Sequence, residues 1–269
     1  MDAGWVVMQK ANTVTLQLQP MAVTSAEDTQ GWAGITDPVS DTSSGLPGAP
    51  GGAGFVSQWG YVGFFYSFFT QLTEANNQDV DMNTVATLAS SSTEGTRVLF
   101  TENHDMVCGP PGNCQRIPVR AHAYAHRVCS CVFVLGCSLW QASQQNHGRI
   151  PNIVNPGGNP AKPTYWALKK SLLGMGVVLT APGIPLLLQG QEMLTYATFE
   201  FPSPPPLDWS LVSTNAGVVQ AVTDMIALRT NRDGTSLGLT GDNAAIVQVI
   251  DGVRGLCLGT VSAVRGSGC

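Results

Sequence analysis

The stretch Arg97-Val98-Leu99-Phe100-Thr101-Glu102-Asn103-His104-Asp105 constrains this chain more than any other. An apolar run gives way within one residue to two carboxylates, an amide and an imidazole. Such a short run reads as a buried strand, and its end delivers acidic and hydrogen-bonding groups to one place. Two further segments have the same design. Met21-Ala22-Val23-Thr24-Ser25-Ala26-Glu27-Asp28 is short, mostly apolar and ends in acids, and Gly183-Ile184-Pro185-Leu186-Leu187-Leu188-Gln189-Gly190-Gln191-Glu192 ends in an amide and an acid.

Helical periodicity fills the spaces between these strands. Trp5, Met8, Asn12 and Leu16 fall on one stripe of an N-terminal helix. Tyr61, Phe64, Phe65, Phe68, Phe69 and Leu72 recur at helical spacing, and Met82, Val85 and Leu88 repeat the pattern behind Asp81 as a cap. These are core faces, because large apolar side chains are buried far more often than they bind ligands. Thr164 reads as the N-cap of a helix with Tyr165, Leu168 and Leu172 inward and Lys169 and Lys170 outward. Val218, Val222, Met225 and Arg229 define a last helix that Gly234 terminates. The Gly/Pro/Ser-rich stretch from Asp37 to Gly54 reads as an exposed connection, and Ala244-Ala245-Ile246-Val247-Gln248-Val249-Ile250 as a strand.

The strand-end motifs, taken in order, resemble the α-amylase superfamily of α-glucan hydrolases and transglycosylases. The run ending in His104-Asp105 is similar to strand seven of those barrels, Gly183 to Glu192 to strand eight, and Met21 to Asp28 to strand five of the glucan-branching members. Gly51-Gly52-Ala53-Gly54-Phe55-Val56-Ser57-Gln58-Trp59 and Pro206-Leu207-Asp208-Trp209-Ser210-Leu211 also look like branching-enzyme segments. The similarity covers most of residues 1–105 and 148–250.

The resemblance implies an α/β fold: an incomplete (β/α)8 barrel of about strands five to eight, followed by the start of a C-terminal β-sandwich. Barrel segments are expected at 1–105 (strands five to seven) and 148–235 (helix seven to helix eight), an atypical cysteine-rich insertion at 106–147, and a truncated β domain at 236–269. A whole barrel takes about 250 residues, and this chain has 269 while starting near strand five. The implied activity is that of a 1,4-α-glucan branching enzyme, which transfers a glucan to a 6-hydroxyl of starch or glycogen. Glu27 maps onto the general acid/base. Asp105 maps onto the carboxylate that stabilises the oxocarbenium-like transition state, with His104 adding a hydrogen bond. Gln191 and Glu192 either line the sugar cleft or close the strand-eight turn.

The same resemblance places the nucleophilic aspartate at the end of strand four, ahead of this sequence. Asp2 is the only acid upstream of Glu27, and its surroundings do not match that motif. A retaining glycosidase needs two carboxyl groups roughly 5 Å apart, so the chain is expected to be inactive alone. Two other readings stay open: a non-catalytic α-glucan-binding protein, and a fragment of an α-amylase-type hydrolase, since the strand motifs are common to both activities. Glu27 itself also reads as a strand-end acid capping the next helix. Glu102 and Asn103 read as structural, and of Trp32, Trp59 and Trp209 at most one is expected to stack on sugar.

Composition narrows the partners. A net charge of −5 gives no footprint for nucleic acid, and no basic run marks an anionic membrane surface. Neutral polysaccharide is compatible with it. Neither a metal nor a cofactor is implied. No apolar stretch reaches the ~18 residues of a membrane span, and Met1-Asp2-Ala3-Gly4 carries an acid where a targeting segment carries bases. Cytoplasm or plastid would follow from a branching-enzyme parent. Charged residues make up 12%, against roughly 25% in typical soluble domains. With the unpaired edges of a half barrel, that composition predicts self-association or aggregation.

Residues 106–147 fit nothing else in the chain. They hold Cys108, Cys114, Cys129, Cys131 and Cys137 with His122 and His126. The ligand types suit zinc, but five residues separate Cys108 from Cys114 and one separates Cys129 from Cys131, where a zinc finger has about two to four. Disulfides would need an oxidising compartment. The favoured reading is an insertion that looks like translated non-coding sequence, with the family-like pattern resuming at His147-Gly148-Arg149-Ile150.

Overall fold

The computed structural model describes residues 2–73, 80–91, 96–107, 148–198, 203–234, 238–239, 244–250 and 255–260. The cysteine-rich segment beyond Val107 lies outside them. The chain divides into two compact units; among described residues the first holds 2–62 and 96–98, and the second holds the rest.

The first unit opens with helix α1 (Asp2–Leu18). Three strands follow in parallel: β1 (Ser25–Ala26), β4 (Ser57–Trp59) and the start of β5 (Arg97–Leu99). The register pairs Ser25 with Ser57, Ala26 with Gln58, Gln58 with Arg97 and Trp59 with Val98. Between β1 and β4, β2 (Gly45–Leu46) and β3 (Ala49–Pro50) form a small antiparallel hairpin across the Pro47-Gly48 turn.

The stripe that α1 buries is Trp5, Gln9 and Asn12; Met8 is only partly buried, and so is Leu16. Burial of two amides has a cause in the loop they face. Trp5 Nε1 donates to the Gly51 carbonyl at 2.8 Å, Gln9 Nε2 lies 3.0–3.1 Å from the carbonyls of Pro50, Gly51 and Gly52, and Asn12 Nδ2 donates to Ala53 O at 2.8 Å. Buried carbonyls require donors, and the helix supplies them. The expectation of an exposed connection from Asp37 to Gly54 is therefore corrected for its second half: Ala49, Gly51, Gly52 and Ala53 are buried. The loop folds back on itself as well, with Ala53 N donating to Gly34 O, Gly54 N to Asp37 O and Phe55 N to Ile35 O. A Cβ on Gly52 would lie 2.1 Å from Asp37 O, so the composition that reads as flexibility serves close backbone approach.

The aromatic run, which begins at the end of the first unit's segment and continues in the second, behaves as expected. A π-helical turn, Tyr61–Phe65, leads into α2 (Tyr66–Thr73), and Phe64, Phe65, Phe68, Phe69 and Leu72 are buried. Phe65 stacks on Phe100, just after β5, with ring centres 4.8 Å apart. Helix α3 (Met82–Ser91) buries Met82, Val85 and Leu88; Asp81 caps it, accepting from Asn83 N at 3.0 Å. Helix α4 (Ile150–Val154) and helix α5 (Tyr165–Thr180) follow, and Thr164 caps α5 by accepting from Ala167 N at 3.3 Å.

Two side chains of α5 reverse their expected sides. Tyr165 is exposed and Lys170 is buried, because the stripe facing the core runs through Ala167, Ser171, Gly174, Met175 and Val178. Burial pulls the Lys170 ammonium below its ordinary range. Leu186 N, after β6 (Ile184–Pro185), donates to Leu99 O of β5 at 2.8 Å. Short helix α6 (Ser210–Thr214) precedes α7 (Ala216–Thr230), whose Val218 and Val222 pack with Met175, Leu179 and Leu194. Asn231, at φ 50°, ends α7 in place of Gly234, which lies in the turn beyond. The expected strand at Ala244–Ile250 is present as β7 and pairs antiparallel with β8 (Gly255–Thr260).

Among the described residues no helix is long and apolar enough to cross a membrane.

Candidate functional site

Strand alternation sets up the first unit's site. Ala26 turns into the core, so Glu27, next in sequence, is turned out to solvent. Tyr61 Oη donates to Glu27 Oε1 at 3.1 Å. The Tyr61 ring is itself buried and lies nearly parallel to Trp59, with centres 6.0 Å apart.

Asp28 has a different fate. Its Oδ1 accepts from Gln30 N at 2.9 Å, and its Oδ2 accepts from Trp32 N and from Gln58 Nε2, each at 2.6 Å. Three donors on one carboxylate tie both oxygens to the turn after β1. Gln58 is almost fully buried in β4, where its Nε2 also lies 3.2 Å from Trp32 O and its Oε1 accepts from Arg97 Nη1.

Beside these groups lies a cavity of about 270 Å³. Trp5, Met8, Trp32, Ile35, Leu46 and Phe55 give it apolar and aromatic walls; Ser25, Glu27 and Asp28 give it polar edges, and no cationic side chain lines it. A small apolar pocket with a few convergent polar groups is the ordinary form of a small-ligand site.

The second unit carries the other expected residues. Asn103 is buried, and its Oδ1 accepts from Asp105 N at 3.1 Å and Met106 N at 2.8 Å. That local turn lifts His104 and Asp105 to the surface, where His104 Nε2 lies 3.4 Å from Asp105 Oδ1. Gln191 is buried: its Nε2 donates to Thr101 Oγ1 at 2.7 Å and its Oε1 accepts from Leu188 N at 3.3 Å. Glu192 Oε2 accepts from Gly190 N at 2.8 Å. The bonds to Leu188 N and Gly190 N close the turn after β6, and the Gln191 amide ties that turn to Thr101.

Glu102 is fully buried and forms an ion pair with the equally buried Arg149, Nη1 to Oε2 at 2.9 Å. Ile150 N donates to its other oxygen at 2.9 Å. Arg149 also donates through Nη2 to Gln189 O at 2.9 Å and through Nε to Ala197 O at 3.3 Å. Burial holds the Glu102 carboxyl above the usual range, overcoming the opposing pull of Arg149 and of the Ile150 amide. The charge of Glu192 pushes it the same way. Glu102 and Asn103 are thus both buried and engaged in hydrogen bonds within the fold.

Of the tryptophans, Trp209 is 68% exposed, and Trp32 is half-buried with one side on the cavity. Gln58 and Tyr61 in the first unit, and Arg149 in the second, are residues to which the sequence assigned no such partnership. A glutamine inside the buried strand after Phe55-Val56 is the one local signal that points to the first of them.

No protein-family model matches the chain, and no curated protein matches it.

Proposed function

We propose that this chain is an α-glucan-binding piece of an α-amylase-type protein, nearest to the 1,4-α-glucan branching enzymes, and that the cavity beside Glu27 receives a glucosyl residue. The observation that carries the reading is the pairing of an exposed carboxylate at a strand end with an aromatic and apolar wall free of cations. A pyranose ring presents C–H faces to aromatic side chains and hydroxyls to a carboxylate, and it is neutral, which suits those walls. The parallel pairing with β4 of the short strand that runs into Glu27 is compatible with the half-barrel reading of the fold.

Turnover asks for more than this cavity offers. A retaining mechanism uses Glu27 to protonate the departing oxygen and a second carboxylate, roughly 5 Å away, to attack the anomeric carbon. Asp28 is the other acid on the cavity wall, and its oxygens are held by Gln30, Trp32 and Gln58. We read the chain as binding glucan without transforming it, because the resemblance assigns attack on the anomeric carbon to a strand-four aspartate that no described residue matches. A nucleophile from another segment would make it a transferase or a hydrolase.

Electrophoresis through gels containing amylose tests binding, and iodine staining with a reducing-end assay tests turnover. The expected result is retardation by amylose that Glu27→Ala weakens, with iodine absorbance and reducing ends unchanged. Migration unaffected by amylose, amylopectin and glycogen would end the glucan reading. A shift of the iodine spectrum would overturn the claim of no turnover; new reducing ends would mark it as hydrolysis.

A further inference from the structure

We infer that Trp32 is the platform on which the sugar ring stacks beside Glu27, and that Gln58 is the positioning residue that holds it there through Asp28; this rests on the glucan reading above. Trp32 is half-buried, with part of its side chain packed on the Trp5, Ala26 and Ile35 cluster and part on the cavity that Glu27 also lines. Its backbone is gripped from both sides. The amide N–H goes to Asp28 Oδ2 at 2.6 Å, and the carbonyl lies 3.2 Å from Gln58 Nε2. Gln58 donates to that same Asp28 oxygen at 2.6 Å, and its own carbonyl is occupied by Arg97 Nη1.

Arg97, Gln58, Asp28 and Trp32 thus form one chain of hydrogen bonds running from two adjacent strands to the Trp32 backbone, from which the indole projects. Gln58 sits in β4, directly opposite Ala26 in register, one residue before Glu27. Its side chain therefore fixes the platform relative to the strand that carries the acid. A buried amide with both ends engaged is a rigid strut, since releasing either end leaves a buried polar group unpaired. The arrangement also gives Asp28 a role that its sequence position beside Glu27 disguises: it is a clamp on the platform and not a second catalytic acid. Aromatic platforms bind best when held rigid beforehand, because less freedom is lost on binding.

The test uses the whole chain labelled with 5-fluorotryptophan, maltoheptaose as probe, and fluorine NMR with calorimetry as readouts. Trp32→Phe assigns the Trp32 resonance. Wild-type chain should bind maltoheptaose with a shift of that resonance. Trp32→Phe should retain affinity within about threefold, and Trp32→Ala should lose at least about tenfold, the scale of one lost aromatic contact. Gln58→Ala should broaden or split the Trp32 signal and weaken binding about threefold or more while the unfolding midpoint shows the chain still folded. Binding by the wild type with an unmoved Trp32 signal, or equal binding by Trp32→Ala, would overturn the platform while leaving the glucan reading intact. A sharp, single Trp32 signal and full affinity in folded Gln58→Ala would overturn the strut. Absence of wild-type binding would instead overturn the glucan reading and this inference with it.

Discussion

Arg149→Met is the most informative single perturbation of the second unit. The guanidinium neutralises Glu102 and donates to two backbone carbonyls, Gln189 O and Ala197 O. Methionine fills similar apolar space but leaves Glu102 with the Ile150 amide as its remaining hydrogen-bond donor. Stranding one partner of a buried ion pair costs about 3–5 kcal/mol, and the two carbonyls add roughly 1 kcal/mol or more unless water reaches them. A loss of about 4–6 kcal/mol at pH 7.5 is expected, read from urea unfolding followed by fluorescence and circular dichroism together. The sign of the pH dependence follows from the raised Glu102 carboxyl. A folded-state carboxyl that holds its proton more tightly than the unfolded chain loses stability as pH rises above the unfolded value of about 4.3. Removing Arg149 takes away a group that favours the ionised form, so the penalty of the variant should shrink between pH 7.5 and pH 5 as Glu102 takes up a proton. Glu102→Leu combined with Arg149→Met should recover most of the loss, because apolar replacement of a whole buried pair is often neutral or stabilising. A loss below about 1 kcal/mol, a loss that does not vary with pH, or a double variant worse than Arg149→Met would refute the reasoning.

Two further perturbations test the local claims. Thr164→Ala removes the side chain that accepts from Ala167 N and should cost about 1 kcal/mol, measured by the same unfolding curves; no loss would mean that the α5 terminus is satisfied without its cap. Gly52→Ala would push a Cβ to 2.1 Å from Asp37 O and 2.4 Å from its carbonyl carbon. Since backbone must move to relieve it, a loss of about 2–3 kcal/mol or more is expected, together with weaker maltoheptaose affinity if the loop supports the Trp5 wall; unchanged stability would show that the loop relaxes freely.

What could be read from the sequence was whatever depends on near neighbours. The run from Phe64 to Leu72, the Met82, Val85 and Leu88 face, the Val218 and Val222 face, and the caps at Asp81 and Thr164 all follow from spacing and residue chemistry within one or two turns. The placement of Glu27 directly after a strand likewise follows from an apolar run that stops in polar residues, whereas β5 ends at Leu99 and His104-Asp105 lie beyond it in a turn. Helical spacing said less about which stripe would be covered. It put Tyr165 inside and Lys170 outside, the reverse of their burial, and it favoured Met8 where the helix buries Gln9.

The burial of Gln9 has a physical origin that spacing does not carry. A buried polar group is tolerated where a distant segment completes its hydrogen bonds, and the identity of that segment is not a local property of the sequence. Gln9 is covered because three carbonyls more than forty residues away need donors. Glu102 finds its cation 47 positions further along. Gln58 becomes the link between Arg97 and Asp28 because parallel pairing lays β4 between β1 and β5. Sequence by itself determined the main helices and the apolar runs between them; the tertiary structure decided which polar side chains would meet, because each such partnership is set by strand pairing and packing across tens of residues.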